Sequence, residues 1–154
     1  MVLRLERNET LKDIEVLITY PQKNNFVDRM VSLIKSMDLQ IPCFLDNCIE
    51  LMNVSEIYYV ESIDDKTIIH CDKNNYQAKE RLYQIYEKLK EAGFIQINKY
   101  CIINIRKLAK IKPLGNSHLE AVLKNGHYLI VTRKYLADIK QLLKEIELNE
   151  KDLR

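Results

Sequence analysis

Tryptophan is absent from this 154-residue chain, and glycine and proline number three each. So little backbone punctuation leaves no room for a long flexible linker. No apolar run approaches the ~20 residues that cross a bilayer. The start Met1-Val-Leu-Arg-Leu-Glu-Arg lacks the apolar centre of a secretory signal, so a cytoplasmic protein is expected. Cys43, Cys48, Cys71 and Cys101 are dispersed, with no Cys-x-x-Cys pair. They read as reduced thiols filling space as small apolar groups, and zinc would require the fold to gather them. Also missing are a Gly-rich phosphate loop, a Gly-x-Ser-x-Gly elbow, and paired carboxylates beside a nucleophile. No enzyme, metal or cofactor chemistry is expected.

What is present is a globular composition, 47% hydrophobic and 30% charged, long enough to bury one real core. Its charge is unevenly placed. Between Phe94 and Tyr135 stand eight basic residues (Lys99, Arg106, Lys107, Lys110, Lys112, Lys124, Arg133, Lys134) against Glu120 alone. That segment carries +7 in a chain of formal net charge +2, leaving −5 elsewhere. Such asymmetry points to a face that binds a polyanion.

Along the chain, Asp13 to Thr19 alternates apolar with polar and predicts a strand ended by Tyr20-Pro21. Asn25 is placed to cap a helix, with Asp28 in its first turn. Val27, Met30, Val31, Ile34 and Met37 recur at helical spacing as its buried face. Residues 1–47 thus read as a small strand–helix extension, too short to fold alone. Strands are predicted at Cys48–Asn53, Ser55–Glu61 and Thr67–Cys71, the last two forming a hairpin about the polar turn 62–66. A helix follows from about Gln77 to Glu91, closed by Gly93 as its left-handed C-terminal residue.

After Gly93 the period returns to two, predicting strands at Phe94–Ile97, Cys101–Ile105, Leu108–Ile111, His118–Leu123 and Tyr128–Thr132. Leu114-Gly-Asn-Ser marks one turn, and Asn125-Gly126 predicts a type I′ hairpin. Thr132 caps a last helix whose core face is Leu136, Ile139, Leu142, Leu143 and Ile146, before a tail, 149–154, expected to fray. The class is mainly β with edge helices (α+β), in short antiparallel sheets, with the principal domain at residues 48–148.

The stretch Phe94 to Asn104 stands out. Its ends suit strands, whereas Asn98, Lys99 and Tyr100 are polar and donor-bearing and belong at an exposed bend. This stretch joins a series in fixed order: Ile57-Tyr-Tyr-Val-Glu-Ser, Ile68-Ile-His70, Phe94-x-x-x-x-Lys-x-x-Ile-Ile-Asn104, Leu123-Lys-Asn-Gly126 and Val131-Thr-Arg133-Lys-Tyr135. The series resembles the LytTR DNA-binding domain over roughly Glu50 to Lys144, in the manner of small stand-alone bacterial regulators. The resemblance implies a transcription regulator that inserts loops, without a helix-turn-helix, into successive major grooves of duplex DNA. Its sites would be repeated promoter elements occupied by two protomers, so a homodimer on DNA is expected. Control by a membrane-protein partner is a further implication, and dimerisation or such control would fall to the 1–47 extension.

Carried over by position, the contacting residues are Asp65 and Lys66, Asn98 and Lys99, and Arg133; Tyr100 and Lys134, their neighbours, are read as joining them. The commonest family motif, Phe-x-Arg-x-His-Arg-Ser, is altered here to Gln96, Asn98, Lys99 and Tyr100. Lys lacks the bidentate fork that arginine offers guanine, whereas Asn98 can pair with adenine, so base preference is expected to differ.

Plainer readings stand beside these. Lys99 alone is an ordinary solvated lysine, and only its place in the motif singles it out. Arg133 and Lys134 oppose the dipole at a helix start unless a phosphate joins them. Arg106, Lys107, Lys110 and Lys112 are either phosphate contacts or the charged guard of a sheet edge, and His127, beside a hairpin turn, is a weaker candidate for a phosphate. Tyr100 either touches DNA or covers the core edge. Asn104 caps a turn, His70 is a satisfied core histidine, Glu61 is a neutralised structural acid, and Asp64-Asp65 is turn chemistry. Two other function classes remain open: a β-sheet that binds RNA through exposed tyrosines, against which stands the lack of an RNP1-type run, and an interaction module docking an acidic partner.

Overall fold

The computed structural model describes the backbone of residues 1–152 and the side chains of residues 1–144. Residues 1–24 contain no helix or strand. The strand expected at Asp13–Thr19 is not formed: Ile14, Val16 and Leu17 are exposed. Alternation supplies the two faces of a strand, but a strand exists only where a neighbour completes its ladder.

The first helix, α1 (Asn25–Met37), is capped by Asn24 rather than Asn25; the Asn24 Oδ1 accepts from the Val27 N–H at 3.0 Å. Val27 and Ser36 are its buried positions, Met30, Val31 and Ile34 are half-buried, and Met37 faces out at 68% exposure. After α1 comes β1 (Gln40–Leu45), a strand not anticipated, then β2 (Cys48–Asn53), β3 (Ile57–Ile63), β4 (Lys66–Cys71) and β5 (Asn75–Ala78). The second helix, α2 (Leu82–Leu89), is shorter than expected, because Gln77 and Ala78 pair in β5 with β4 and β1. Gly93 ends the following 3-10 turn at φ 91°, the left-handed conformation expected of it.

Next are β6 (Phe94–Asn98), β7 (Cys101–Asn104), β8 (Leu108–Leu114), β9 (His118–Leu123) and β10 (Tyr128–Val131). The last helix, α3 (Leu136–Asp152), buries Leu136 and Ile139, with Leu142 and Leu143 half-buried. It continues past Asn149, where a frayed tail was expected to begin. The Ile146 side chain and residues 153–154 lie outside the described residues.

All strand pairs are antiparallel, in a seven-stranded sheet ordered β2-β1-β5-β4-β3-β7-β6 and a three-stranded sheet ordered β10-β9-β8. The mainly β architecture with helices packed beside the sheets is the one the patterning implied. The core has two parts on opposite faces of the large sheet. One packs α2 (Leu82, Ile85, Leu89) on Val60, Ile69, Phe94 and Ile102. The other packs α3 and the small sheet (Leu136, Ile139, Ala121, Leu123) on Tyr59, Ile97, Cys101 and Ile103. Each fully buried Ile or Leu contributes ~1.5–3 kcal/mol relative to exposure. β7 is buried along its whole length and separates the two parts.

Turn chemistry departs from expectation at one place. Asn125 does not take positive φ; Gly126 does, at 88°, and its N–H returns to the Leu123 carbonyl at 2.9 Å. That is a turn closed by one left-handed glycine, not a type I′ pair. Positive φ at both central residues occurs instead in the glycine-free turns Asp46-Asn47 and Asp64-Asp65.

Candidate nucleic-acid interface

The β3–β4 hairpin turns at Asp64-Asp65, and the β6–β7 hairpin turns at 98–100. Because β3 pairs with both β4 and β7, with Glu61 opposite both Ile68 and Cys101, the two turns leave the same end of the sheet. The Ser62 N–H donates to the Tyr100 carbonyl at 2.8 Å and ties them together. The third segment joins from the small sheet. The Thr132 N–H donates to the Ile97 carbonyl at 3.0 Å, and Asn98 Nδ2 donates to the Ile130 carbonyl at 2.9 Å. Arg133 and Lys134, in the 3-10 turn that leads into α3, are thereby held beside the 98–100 loop. Asp65, Lys66, Lys99, Tyr100, Arg133 and Lys134 are all exposed there.

The residues that depart from the common family motif have a structural role. Gln96 Nε2 donates to the Asn98 carbonyl at 3.1 Å, and Asn98 Oδ1 accepts from the Tyr100 N–H at 2.9 Å. With the bond to Ile130, both ends of the Asn98 amide are committed inside the protein, which competes with the adenine pairing expected of it. The side chains of Lys99 and Tyr100 project together from the loop, the ammonium 5.4 Å from the ring centre.

Arg81 was missed from the sequence, because that stretch reads as mid-helix. It precedes α2 at the same end of the sheet and donates from Nη1 to the Asp65 carbonyl at 3.2 Å. Its guanidinium therefore both holds the hairpin turn and adds a cation to the exposed group. The signal that would have found it is the short β5 strand, which pushes the helix start past residue 78.

The remaining basic candidates are elsewhere. β6 and β7 pair from Asn98–Cys101 at the interface end to Phe94–Asn104 at the other, where the Ile105 N–H meets the Gly93 carbonyl. Arg106 sits at that far end, half-buried under Gly93, with Nη2 donating to the Ala92 carbonyl at 2.8 Å. Burial holds its guanidinium below the usual arginine value. Lys107 lies 4.9 Å over the Tyr58 ring, and its carbonyl accepts from the Lys124 N–H. Lys110 and Lys112 lie along β8, opposite Val122 and Glu120. His127 is in the β9–β10 turn, its Nδ1 3.3 Å from the Tyr59 hydroxyl.

Behind the interface a polar set crosses the sheet. His70 Nε2 lies 2.6 Å from Glu61 Oε1, and its ring stacks on Tyr59 at 4.0 Å. His70 is therefore satisfied at one nitrogen, while its buried Nδ1 has no partner among the described residues. Burial first, and Glu61 second, push the Tyr59 hydroxyl up to about 12. Asn104 is fully buried; its Oδ1 caps the Arg106 N–H at 3.1 Å and its Nδ2 donates to the Ile57 carbonyl at 2.9 Å. Among the described residues no group of three His, Cys, Asp or Glu side chains is placed to hold a metal ion. No described helix is long and apolar enough to cross a membrane.

Comparison with known proteins adds a family. The model of the LytTr DNA-binding domain matches residues 47–144, beginning in the β1–β2 turn. A sensory transduction protein, LytT, of Bacillus anthracis is 26% identical over 136 residues, covering 85% of this chain and 55% of that protein. Its Bacillus cereus counterpart is 28% identical over 100 residues, 65% of this chain and 41% of that protein. The chain thus spans about half the length of these relatives or less. An uncharacterised HTH-type transcriptional regulator of Staphylococcus aureus is 27% identical over 143 residues, 92% of this chain and 95% of that one. Among the described residues, however, no two α-helices follow each other across a short turn. The solved LytTr DNA-binding domain of a methyl-accepting/DNA response regulator from Bacillus cereus superposes with a TM-score of 0.64 at 21% identity, covering 68% of this chain and 95% of that one.

Proposed function

The chain belongs to the LytTR DNA-binding domain family, and on that premise we propose that it is a non-enzymatic, cytoplasmic transcription regulator that reads duplex DNA with one end of its large sheet. The observation that carries this reading is the convergence of three segments far apart in sequence. The 64–66 turn, the 98–100 loop and the 133–134 turn are linked by the bonds Ser62–Tyr100, Asn98–Ile130 and Thr132–Ile97. Together they expose Lys66, Lys99, Arg133 and Lys134, with Arg81 beside them.

In this reading the two hairpin turns and the 133–134 turn enter successive major grooves of a repeated promoter element, one protomer per repeat. Arg133 and Lys99 contact base edges or phosphates, and Lys66 and Lys134 contact phosphates. Asp65 shapes the first loop and accepts from cytosine amines within reach. Asn98 shapes the second loop, and Tyr100 packs on sugar or a thymine methyl. Arg106, Lys107, Lys110 and His127, at the far end or along β8, touch DNA only if it continues past the main contact. Control by a membrane-protein partner belongs to the same proposal and would act through the 1–47 extension.

The test is selection of bound duplexes from a random pool, read as a consensus with half-site spacing. Lys99→Ala and Arg133→Ala should each weaken binding to that consensus by ~1–3 kcal/mol where they meet bases. A double variant that binds as tightly as the parent, or a pool that enriches no sequence, overturns the reading. Preference for single strands over the duplex would favour RNA or single-stranded DNA instead.

A further inference from the structure

The molecule has few free sheet edges, and they are treated differently. β6 and β10 close on one another through the Thr132–Ile97 and Asn98–Ile130 bonds. β8 carries Lys110, Lys112 and Pro113, which discourage a further strand. β2 has neither Lys nor Pro. It ends the large sheet, and Ile49 and Leu51 are 71% and 62% exposed. They share a face with Phe44 and Pro42, their partners in β1, so a strip of apolar side chains runs off the open edge.

The same chain also carries a strand-like segment with no ladder. From Asp13 to Thr19, Ile14, Val16 and Ile18 fall on one face and Asp13, Glu15, Leu17 and Thr19 on the other. Among the described residues, no hydrogen bond joins the backbone groups of Glu15–Tyr20 to any partner. Ile14 and Val16 are 89% and 57% exposed.

We propose that these two features fit each other between two copies of the chain: residues 13–19 of each protomer add as an eighth strand to the β2 edge of the other. Strand addition satisfies the free main-chain groups on both sides, and the Ile14–Val16–Ile18 face extends the Ile49–Leu51 strip. The tether favours pairing within one chain by proximity, yet the segment lies off its own β2 edge. When the same two copies exchange arms reciprocally about a two-fold axis, the assembly closes at two protomers. Direct pairing of two β2 edges about Glu50 would set like charges opposite each other, which the arm avoids. This extends the two-protomer reading to the protein free of DNA, and its test involves no DNA, so either can fail alone.

The native Cys48 is an exposed thiol at the start of β2, on the face opposite Ile49 and Leu51. In the full chain, Glu15→Cys and Leu17→Cys should oxidise with Cys48 of a second copy to a covalent dimer, whereas Ile14→Cys and Val16→Cys, on the other face, should not. The parent should sediment at twice the 18.3 kDa of one chain, and Leu51→Lys or Val16→Pro should return it to the monomer. Disulfides formed within one chain, cross-linking without that alternation, a monomeric parent, or a dimer indifferent to Leu51→Lys and Val16→Pro would each overturn the proposal.

Discussion

Asn98 and Lys99 are neighbours with different consequences for binding. Asn98 holds the loop by accepting from Tyr100 and donating to Ile130. Asn98→Ala removes two hydrogen bonds, each worth ~0.5–1.5 kcal/mol net. It should lower the urea midpoint and weaken DNA binding while leaving the salt slope unchanged. Lys99→Ala should do the reverse, keeping stability and reducing the log–log salt slope by about one if the ammonium meets a phosphate. Titrating both variants against salt separates the roles.

A second residue-scale prediction concerns pH. Burial raises the Cys71 thiol from 9.0 to about 12, with Glu56 adding to the effect, and raises Tyr59 from 10.0 to about 12. In both, the folded state holds the proton more tightly than the unfolded chain. Their contribution is therefore fully present below pH 9 and lost as pH climbs toward 12. Urea midpoints measured across that window should fall, and Tyr59→Phe should remove the part lost above pH 10.

Among elements, those whose signal is local were legible in the sequence. The Gly93 terminus, the hairpin pairs β3–β4 and β6–β7, and the helical stripe of Leu82, Ile85 and Leu89 all follow from spacing and turn residues. Elements that depend on a distant neighbour were not. β1 contains Pro42, which argues against a strand, but β5 bonds β1 only at Cys43 and Phe44, so the missing N–H disturbs no ladder there. Conversely, 13–19 has the alternation and lacks the neighbour. The candidate site divides the same way: the three loop segments were visible as motifs, whereas Arg81 depended on where α2 begins.

Gly93 gives the element-scale prediction. At φ 91° an alanine is strained, and its Cβ would stand 2.5 Å from Arg106 Nη1. Gly93→Ala should destabilise the fold by ~1–3 kcal/mol. Combining it with Arg106→Ala should remove only the steric part, so the two changes are not additive in denaturant titrations.

For the whole molecule, the basic residues form separate sets. Lys66, Arg81, Lys99, Arg133 and Lys134 share the interface end, whereas Arg106 and Lys107 lie at the other end of the β6–β7 hairpin. Neutralising Lys66, Lys99 and Lys134 should flatten the salt dependence of binding to a short duplex by roughly one unit per lost phosphate contact. Changing Lys107 and Lys110 to Gln should leave it unaltered, and only a longer duplex would bring them in.

β7 has one more consequence. Its middle is Ile102-Ile103, buried on both sides of the sheet, one residue in each half of the core. A slip by one position would exchange one isoleucine for another, so hydrophobicity gives those two residues no index of where the strand belongs. The index is Asn104: its Oδ1 is held locally by the Arg106 N–H, and its Nδ2 meets the Ile57 carbonyl of the neighbouring segment in a single alignment. It acts as the detent of a sliding scale. Since the 98–100 loop is carried on the same hairpin, the aim of the candidate interface is set by a buried amide at the opposite end of the strand.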